Sequence, residues 1–331
     1  MESPLVGWRG NWAGSTAVVM GSGEVGFAIA DTCHELGAHT LLVTDTPSTD
    51  REKILQVLGV ELVDDRDSTD ILPAGLTPDF VVLSHPSFRS HPLAVSLSER
   101  GVPVWSELEF SFRVADKSGT RPRLVMVACP PDQAPSGIDP WTLATQLLVE
   151  AGIRAVVVGR RGVVALDVFR DPTPWEVVVW PLEASELDDL NADVDPERSP
   201  FVAVADDSVP DGALDALYHR TALACVYTRS GGASEQAVER AWVLEGARAI
   251  GVGLDSPGMS DLGVVEGIVC DRAFLDDRRD RALEVTTLDE LAALQVVSPA
   301  QVTQVMQALA IARAFGVDQD LIGQVLRSVA P

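Results

Sequence analysis

The chain has 331 residues, 46% hydrophobic and 22% charged, which suits a soluble globular protein with two α/β cores. Its formal net charge of −24 excludes a nucleic-acid binder, because the phosphate backbone demands clustered positive charge. No apolar run is long enough to span a membrane, and MESPLVGWRGNW has neither the basic start nor the apolar stretch of a secretory signal. A cytoplasmic protein without membrane contact is expected. Cys33, Cys129, Cys225 and Cys270 stand far apart in apolar surroundings with no C-x-x-C spacing, so buried free thiols are expected.

In chain order, Ala17–Met20 reads as a strand, Val25–Leu36 as a helix and His39–Val43 as a strand. Arg51–Leu58 reads as a helix, and Val60–Val63, Phe80–Ser84 and Val102–Trp105 as strands. Short β-branched runs spaced by helices predict a parallel, doubly wound, Rossmann-like sheet over residues 1–115. The polar stretch 116–123 reads as a linker, and residues 124–331 as a second α/β domain. There Leu124–Cys129, Ala155–Gly159, Glu176–Trp180, Phe201–Ala205, Leu223–Tyr227 and Ala249–Val252 are strand-like. Trp141–Ala151, Ala233–Trp242, Pro299–Phe315 and Gln319–Val329 are helix-like. Val302, Val305, Met306, Leu309 and Ala310 mark one apolar helix face.

Two features invite a functional reading. Gly21-Ser22-Gly23-Glu24-Val25-Gly26 is a G-x-G-x-x-G turn between a strand and a helix, where backbone N–H groups can meet a diphosphate. Asp45 lies at the end of the next strand, where an acid can meet a ribose or a base. The same glycines could serve only tight strand–helix packing, and Glu24 opposes a diphosphate unless it points away. The second feature is acidic: Glu183 to Asp215 holds eleven carboxylates and one basic residue, Arg198. It could be a cation site, but without D-x-D-x-D-G spacing it reads rather as a solvated segment; Arg160 and Arg161 read as ion-pair partners for its nearer carboxylates, with anion binding at the strand end as the alternative.

Gly7-Trp8, Trp12-Ala13-Gly14, the glycine loop, Thr44-Asp45-Thr46 and the stretch from Gly101 to Glu109 resemble the first domain of the MurD ligase family. Ala224–Tyr227, Glu245–Gly251, Leu262–Val265, Asp271–Phe274 and Ala310–Val317 resemble its central domain. The resemblance implies a Rossmann-like N-terminal domain followed by a Mur-ligase-like central domain with a mostly parallel sheet. It also implies that the first domain binds a UDP-sugar. Gly21, Ser22, Gly23, Glu24, Val25 and Gly26 match the diphosphate loop and Asp45 and Thr46 the uracil contacts, while the family's Ser-Pro-Gly loop is altered to Ser84-His85-Pro86, without the glycine that lets the backbone approach the sugar-diphosphate. The family's third domain is expected to be missing, because the chain stops at Pro331.

The nucleotide site departs from the family. A G-x-x-x-x-G-K-[ST] loop is expected where Ala128–Gly137 stands, yet that stretch carries three prolines and no lysine. Asp139-Pro140 reads as an Asp cap on the next helix, with its carboxylate where a phosphate would sit. No lysine follows Arg121, Lys53 and Lys117 being the only two. The resemblance aligns Pro181 with the family's metal-binding Glu, Arg160 with its Asn, and Asp207-Ser208-Val209-Pro210 with its Asp-His-Leu-Asp. No catalytic residue and no metal ligand is therefore assigned, and neither ATP nor Mg is expected to bind.

These readings converge on a non-catalytic MurD-like binding or regulatory protein tied to peptidoglycan biosynthesis or cell division. Weak binding of a UDP-N-acetylmuramoyl precursor and engagement of a cell-wall synthesis or division protein are expected. One alternative is a UDP-N-acetylmuramoyl-L-alanine–D-glutamate ligase with an unusual nucleotide site. Another is an NAD-binding oxidoreductase, although no His–acid or Tyr-x-x-x-Lys pairing stands out for it.

Overall fold

The computed structural model describes residues 5–44, 50–64, 72–73, 75–130, 139–187, 189–190, 199–209 and 211–328. The chain forms two compact units, residues 1–121 with 163–174, and residues 122–162 with 175–331. This division differs from the contiguous one expected. Residues 116–121 belong to the first unit, where Asp116 Oδ1 accepts the Trp8 N–H at 2.6 Å, and a segment from beyond residue 160 returns to it.

The first unit begins β1 (Thr16–Met20), α1 (Gly23–Glu35), β2 (His39–Thr44), α2 (Asp50–Val57) and β3 (Glu61–Asp64). It continues β4 (Phe80–Leu83), α3 (Pro92–Glu99), β5 (Val104–Ser106) and α4 (Glu107–Val114). All five strands are parallel, in the order β3-β2-β1-β4-β5. Both faces of the central strands are buried, which explains their unbroken Val/Leu runs. On one face Trp12 stands edge-on to Phe80, Trp105 and Phe110, with centroids 5.7 to 6.3 Å away, and donates its indole N–H to the Gly7 carbonyl at 2.8 Å. The tryptophan–glycine opening of the chain is thus a core device.

The chain continues with β6 (Arg123–Ala128), α5 (Pro140–Glu150), β7 (Ala155–Val157), α6 (Ala165–Arg170), β8 (Val177–Leu182), α7 (Ala184–Leu187) and β9 (Val202–Val204). Then come α8 (Asp211–Tyr218), β10 (Ala224–Thr228), α9 (Ala233–Arg240), β11 (Arg248–Val252), β12 (Asp261–Val265), β13 (Ile268–Asp271) and β14 (Leu283–Thr287). The helices α10 (Leu288–Ala293), α11 (Pro299–Ala314) and α12 (Gln319–Ser328) close it. Except for α6, these form the second unit, with sheet order β14-β13-β12-β11-β10-β9-β6-β8-β7. The strands from β7 to β12 run parallel, while β13 and β14 turn back antiparallel. Helix α11 starts on a reciprocal cap between Ser298 and Gln301 with Pro299 in its first turn, and it is buried well beyond the expected face.

The late family-like segments meet in one structural network. Asp271 is fully buried and takes the Arg313 Nε–H at 2.9 Å together with the Ala273 and Phe274 N–H groups. Arg313 also donates to the carbonyls of Val317 and Phe274, and Arg248 to that of Ala273. Their role is to fasten β11, β13 and α11 together. All four cysteines are free and buried, and no described helix is long and apolar enough to cross a membrane. Removing one partner of the buried pair strands the other charge, so Arg313→Met should cost about 3 kcal/mol. Urea unfolding followed by tryptophan fluorescence measures it.

Candidate functional site

In the first unit each loop glycine has its own reason. Gly21, at φ +89°, donates its N–H to the Val43 carbonyl at 2.9 Å, and a Cβ there would lie 2.3 Å from the Phe88 ring and 2.5 Å from Ser84 Oγ. Gly23, at φ +91°, needs the left-handed region but faces open space. A Cβ on Gly26 would strike the Gly21 carbonyl oxygen at 2.1 Å. Ser22 starts α1 without a side-chain cap, so its hydroxyl does not occupy the first-turn N–H groups. Val25 turns its side chain to the core.

The sequence left open where Glu24 points. Its carboxylate pairs with Arg51 on α2 at 2.5 Å, which compensates its charge beside the loop. Ser84 is used structurally, its hydroxyl and N–H both donating to the Met20 carbonyl at 2.7 and 3.1 Å. The following residues wind into a 3-10 turn, Pro86–Ser90, with His85 Nδ1 accepting the Ser87 N–H, and this turn sets Phe88 against Gly21. Gly21 through Gly26 and Ser84 are therefore brought together. Asp45 and Thr46 lie outside the described residues.

In the second unit the carboxyl ends of β6, β7 and β8 form a charged mouth. Residues 131–138, most of the altered nucleotide loop, lie outside the described residues. Asp139 begins α5 as expected, with Pro140 after it, and its carboxylate makes no capping hydrogen bond. Burial raises its pKa, with Arg161 acting in the opposite direction.

Pro181 is reassigned. It stands inside β8 with Val127 opposite, and it faces the side where β7 has ended at Val157, so its missing N–H leaves no ladder bond unmade. The first residue beyond the strand is Glu183. An acid therefore does stand at this mouth, and two arginines hold it, Arg160 Nη1 at 2.6 Å and Arg161 Nη2 at 3.7 Å. Arg161 also donates to the Pro130 carbonyl at 3.2 Å. The arginines ride a 3-10 turn that starts at Gly159, φ +78°, where a Cβ would lie 2.5 Å from Trp180 Nε1. Glu186 accepts the Glu183 N–H at 2.9 Å; burial raises the pKa of its carboxyl despite that bond. Burial likewise pushes the Cys129 thiol up to about 12, against the pull of Arg161. Among the described residues no acidic, histidine or cysteine side chains converge as a metal-ligand set.

Asp207, aligned with the family's acidic motif, bridges β9 to the start of α9. Its Oδ1 accepts the N–H and hydroxyl of Ser234 at 2.9 and 2.8 Å, and Oδ2 accepts the Ser230 hydroxyl. Glu235 Oε2 takes the N–H groups of Ser230 and Gly231 at 3.1 and 2.7 Å. The sequence reading missed this cradle, whose only signal is the run Ser230-Gly231-Gly232-Ala233-Ser234-Glu235 after a strand. Partial burial of Asp207 pushes its pKa up, but the donated hydrogen bonds outweigh it and leave the pKa below the ordinary value.

Two tests follow from this geometry. Gly23→Ala should lower stability by about 1–2 kcal/mol for its left-handed backbone, and Gly21→Ala by more, because Phe88 and Ser84 must also move. Equal urea midpoints for the two variants would contradict the packing. The lowered pKa of Asp207 means its contribution is complete above the unfolded carboxylate pKa near 3.8 and is lost as pH falls through the folded value. Between pH 5 and pH 3, values bracketing roughly the ordinary Asp range, wild type should therefore lose more of its urea midpoint than Asp207→Asn does.

No family model matches the sequence. The chain is 37% identical over 350 residues to UDP-N-acetylmuramoylalanine–D-glutamate ligase of Leifsonia xyli subsp. xyli, covering 97% of this chain and 65% of that protein. It is 32% identical over 341 residues to the protein of the same name from Streptomyces avermitilis, covering 97% and 68%. The chain thus spans about two thirds of the length of the curated relatives it matches. Two solved structures share its fold. A UDP-N-acetylmuramate:L-alanyl-γ-D-glutamyl-meso-diaminopimelate ligase from Neisseria superposes with a TM-score of 0.55 at 11% identity, covering 96% of this chain and 98% of that one. A murein peptide ligase from Psychrobacter arcticus gives 0.54 at 13%, covering 95% and 68%. With the glycine loop, the mostly parallel central sheet and these identities together, the chain belongs to the UDP-N-acetylmuramoylalanine–D-glutamate ligase family.

Proposed function

We propose that this chain is a non-catalytic member of its family, a binding or regulatory protein of peptidoglycan biosynthesis whose first unit keeps the UDP-N-acetylmuramoyl precursor site. The observation that carries the reading is the grip of Arg160 and Arg161 on Glu183. A carboxylate at the end of a central strand, beside a nucleotide loop, is where a divalent cation would find a hard oxygen ligand. Here two guanidiniums already engage its oxygens, so a dication would have to displace that ion pair to reach them. The donor set does not fit Mg, and without a lysine after Arg121 the ATP phosphates lose their usual counter-charge. A shaped α/β surface without chemistry acts by engaging another protein, of wall synthesis or division.

The competing reading, an active D-glutamate ligase, is favoured by the 37% identity to a protein of that name. The two separate in one experiment with the purified chain, ATP·Mg, UDP-N-acetylmuramoyl-L-alanine and D-glutamate. Neither phosphate release nor ligated product should exceed the no-enzyme control, and product detected by mass spectrometry overturns the proposal. In thermal-shift titrations the UDP-precursor should stabilise the protein, by about 2.7 kcal/mol at a hundred times its Kd, and more than NAD does. Gly23→Asp should abolish the shift by placing bulk and charge in the loop.

A further inference from the structure

Residues 163–174 are the one described stretch that leaves its sequence neighbours to complete the other unit's core. Leu166 is fully buried in the cluster of Trp12, Phe80, Trp105 and Phe110, and Ala165 and Phe169 are buried beside it. The polar side of α6 is equally committed. Arg170 reaches Asp31 at 2.7 Å and Glu35 at 2.8 and 3.1 Å, all on α1, and Lys117 completes the pairing of Glu35 at 2.5 Å. Asp167 lies in the field of both Asp31 and Glu24, so α6 runs along α1 from the glycine loop toward its far end.

The charges show what depends on this seating. Glu24, Asp31 and Glu35 of α1, with Asp167 of α6, put four acids along one seam. Arg51 compensates the first, Lys117 shares the last of the α1 acids, and Arg170 is the cation that the seam's interior relies on. Burial opposes the charge of Arg170, yet its bonds to Asp31 and Glu35 raise its pKa above the ordinary value, so it stays a cation there. Without it, Asp31 and Asp167 would face each other across a half-buried seam. The strap also follows Arg160-Arg161-Gly162 directly in sequence, and Pro172 and Pro174 stiffen its exit.

We infer that residues 163–174 are a strap for the glycine-loop helix, and that α6 and α1 open and close as one cooperative unit held by Arg170. A diphosphate held at the start of α1 then also secures the strap, a corollary that rests on the precursor-binding reading above. The strap claim itself does not.

Hydrogen exchange with mass spectrometry on the full chain tests it. In Arg170→Ala, amides of both 163–170 and 23–35 should exchange about tenfold faster or more, the scale of a lost charge-assisted bond. Amides of α5 and α11 should be unchanged, and Arg170→Lys should restore part of the protection. Acceleration confined to 163–174, or spread evenly over both units, overturns the inference. Should Arg170→Ala fail to fold, Asp31→Asn in the same measurement must accelerate both segments or the claim falls. Saturating UDP-N-acetylmuramoyl-L-alanine should slow exchange in 163–170 as well as in the loop. Protection of the loop alone overturns the corollary, and no protection anywhere overturns precursor binding while the ligand-free comparison still decides the strap.

Discussion

A parallel strand has to be covered on both faces, and in both units of this chain that constraint decides where polar chemistry can stand. Val18, Val82, Val125, Val178 and Val226 leave no accessible surface for it. What remains is the carboxyl end of each strand, where the ladder stops and a helix or turn begins. The polar groups of the two candidate sites lie there: the glycine loop after β1, Ser84 after β4, the arginine turn after β7, Glu183 after β8 and Asp207 after β9. The sheets fix these positions rigidly, so a substitution at a strand end changes chemistry without changing architecture.

The second theme is counter-charge. A chain with a net charge of −24 must place each of its few cations with care, and nearly all of them are arginines. Arginine offers five donors in a planar fork and can satisfy several oxygens at once. Arg313 does so for one carboxylate and two carbonyls, Arg170 for two carboxylates, and Arg161 for a carboxylate and a carbonyl. At the mouth of the central sheet the same property holds the Glu183 carboxylate in an ion pair with Arg160 and Arg161.

The parallel frame was legible because buried strands announce themselves as short Val/Leu/Ile runs. The antiparallel end of the central sheet was not. Its β12–β13 hairpin turns at Glu266-Gly267, both with positive φ, and Glu-Gly is a weaker turn signal than Asn-Gly. Helix α6 was missed because six residues carry too little periodicity. The glycine loop was legible in position and context, whereas the pairing of Glu24 with Arg51 depends on α2 and cannot be seen along the chain. Pro181 misled for a related reason. A proline suggests the end of a strand, yet here its neighbour strand stops first, and β8 runs on to Leu182, with Glu183 just beyond it.

The discontinuity of the first unit has a consequence for the order in which the protein is made. Residues 1–121 emerge first, but the place for Leu166 in their core stays empty and Asp31 and Glu35 wait for Arg170. At roughly 5–20 residues per second, the intervening stretch takes several seconds to synthesise. For that interval the nascent first unit shows an apolar slot beside Asp31 without its arginine, while Glu35 has Lys117 alone. The glycine loop is finished not when its own domain has been translated but when the start of the next one has.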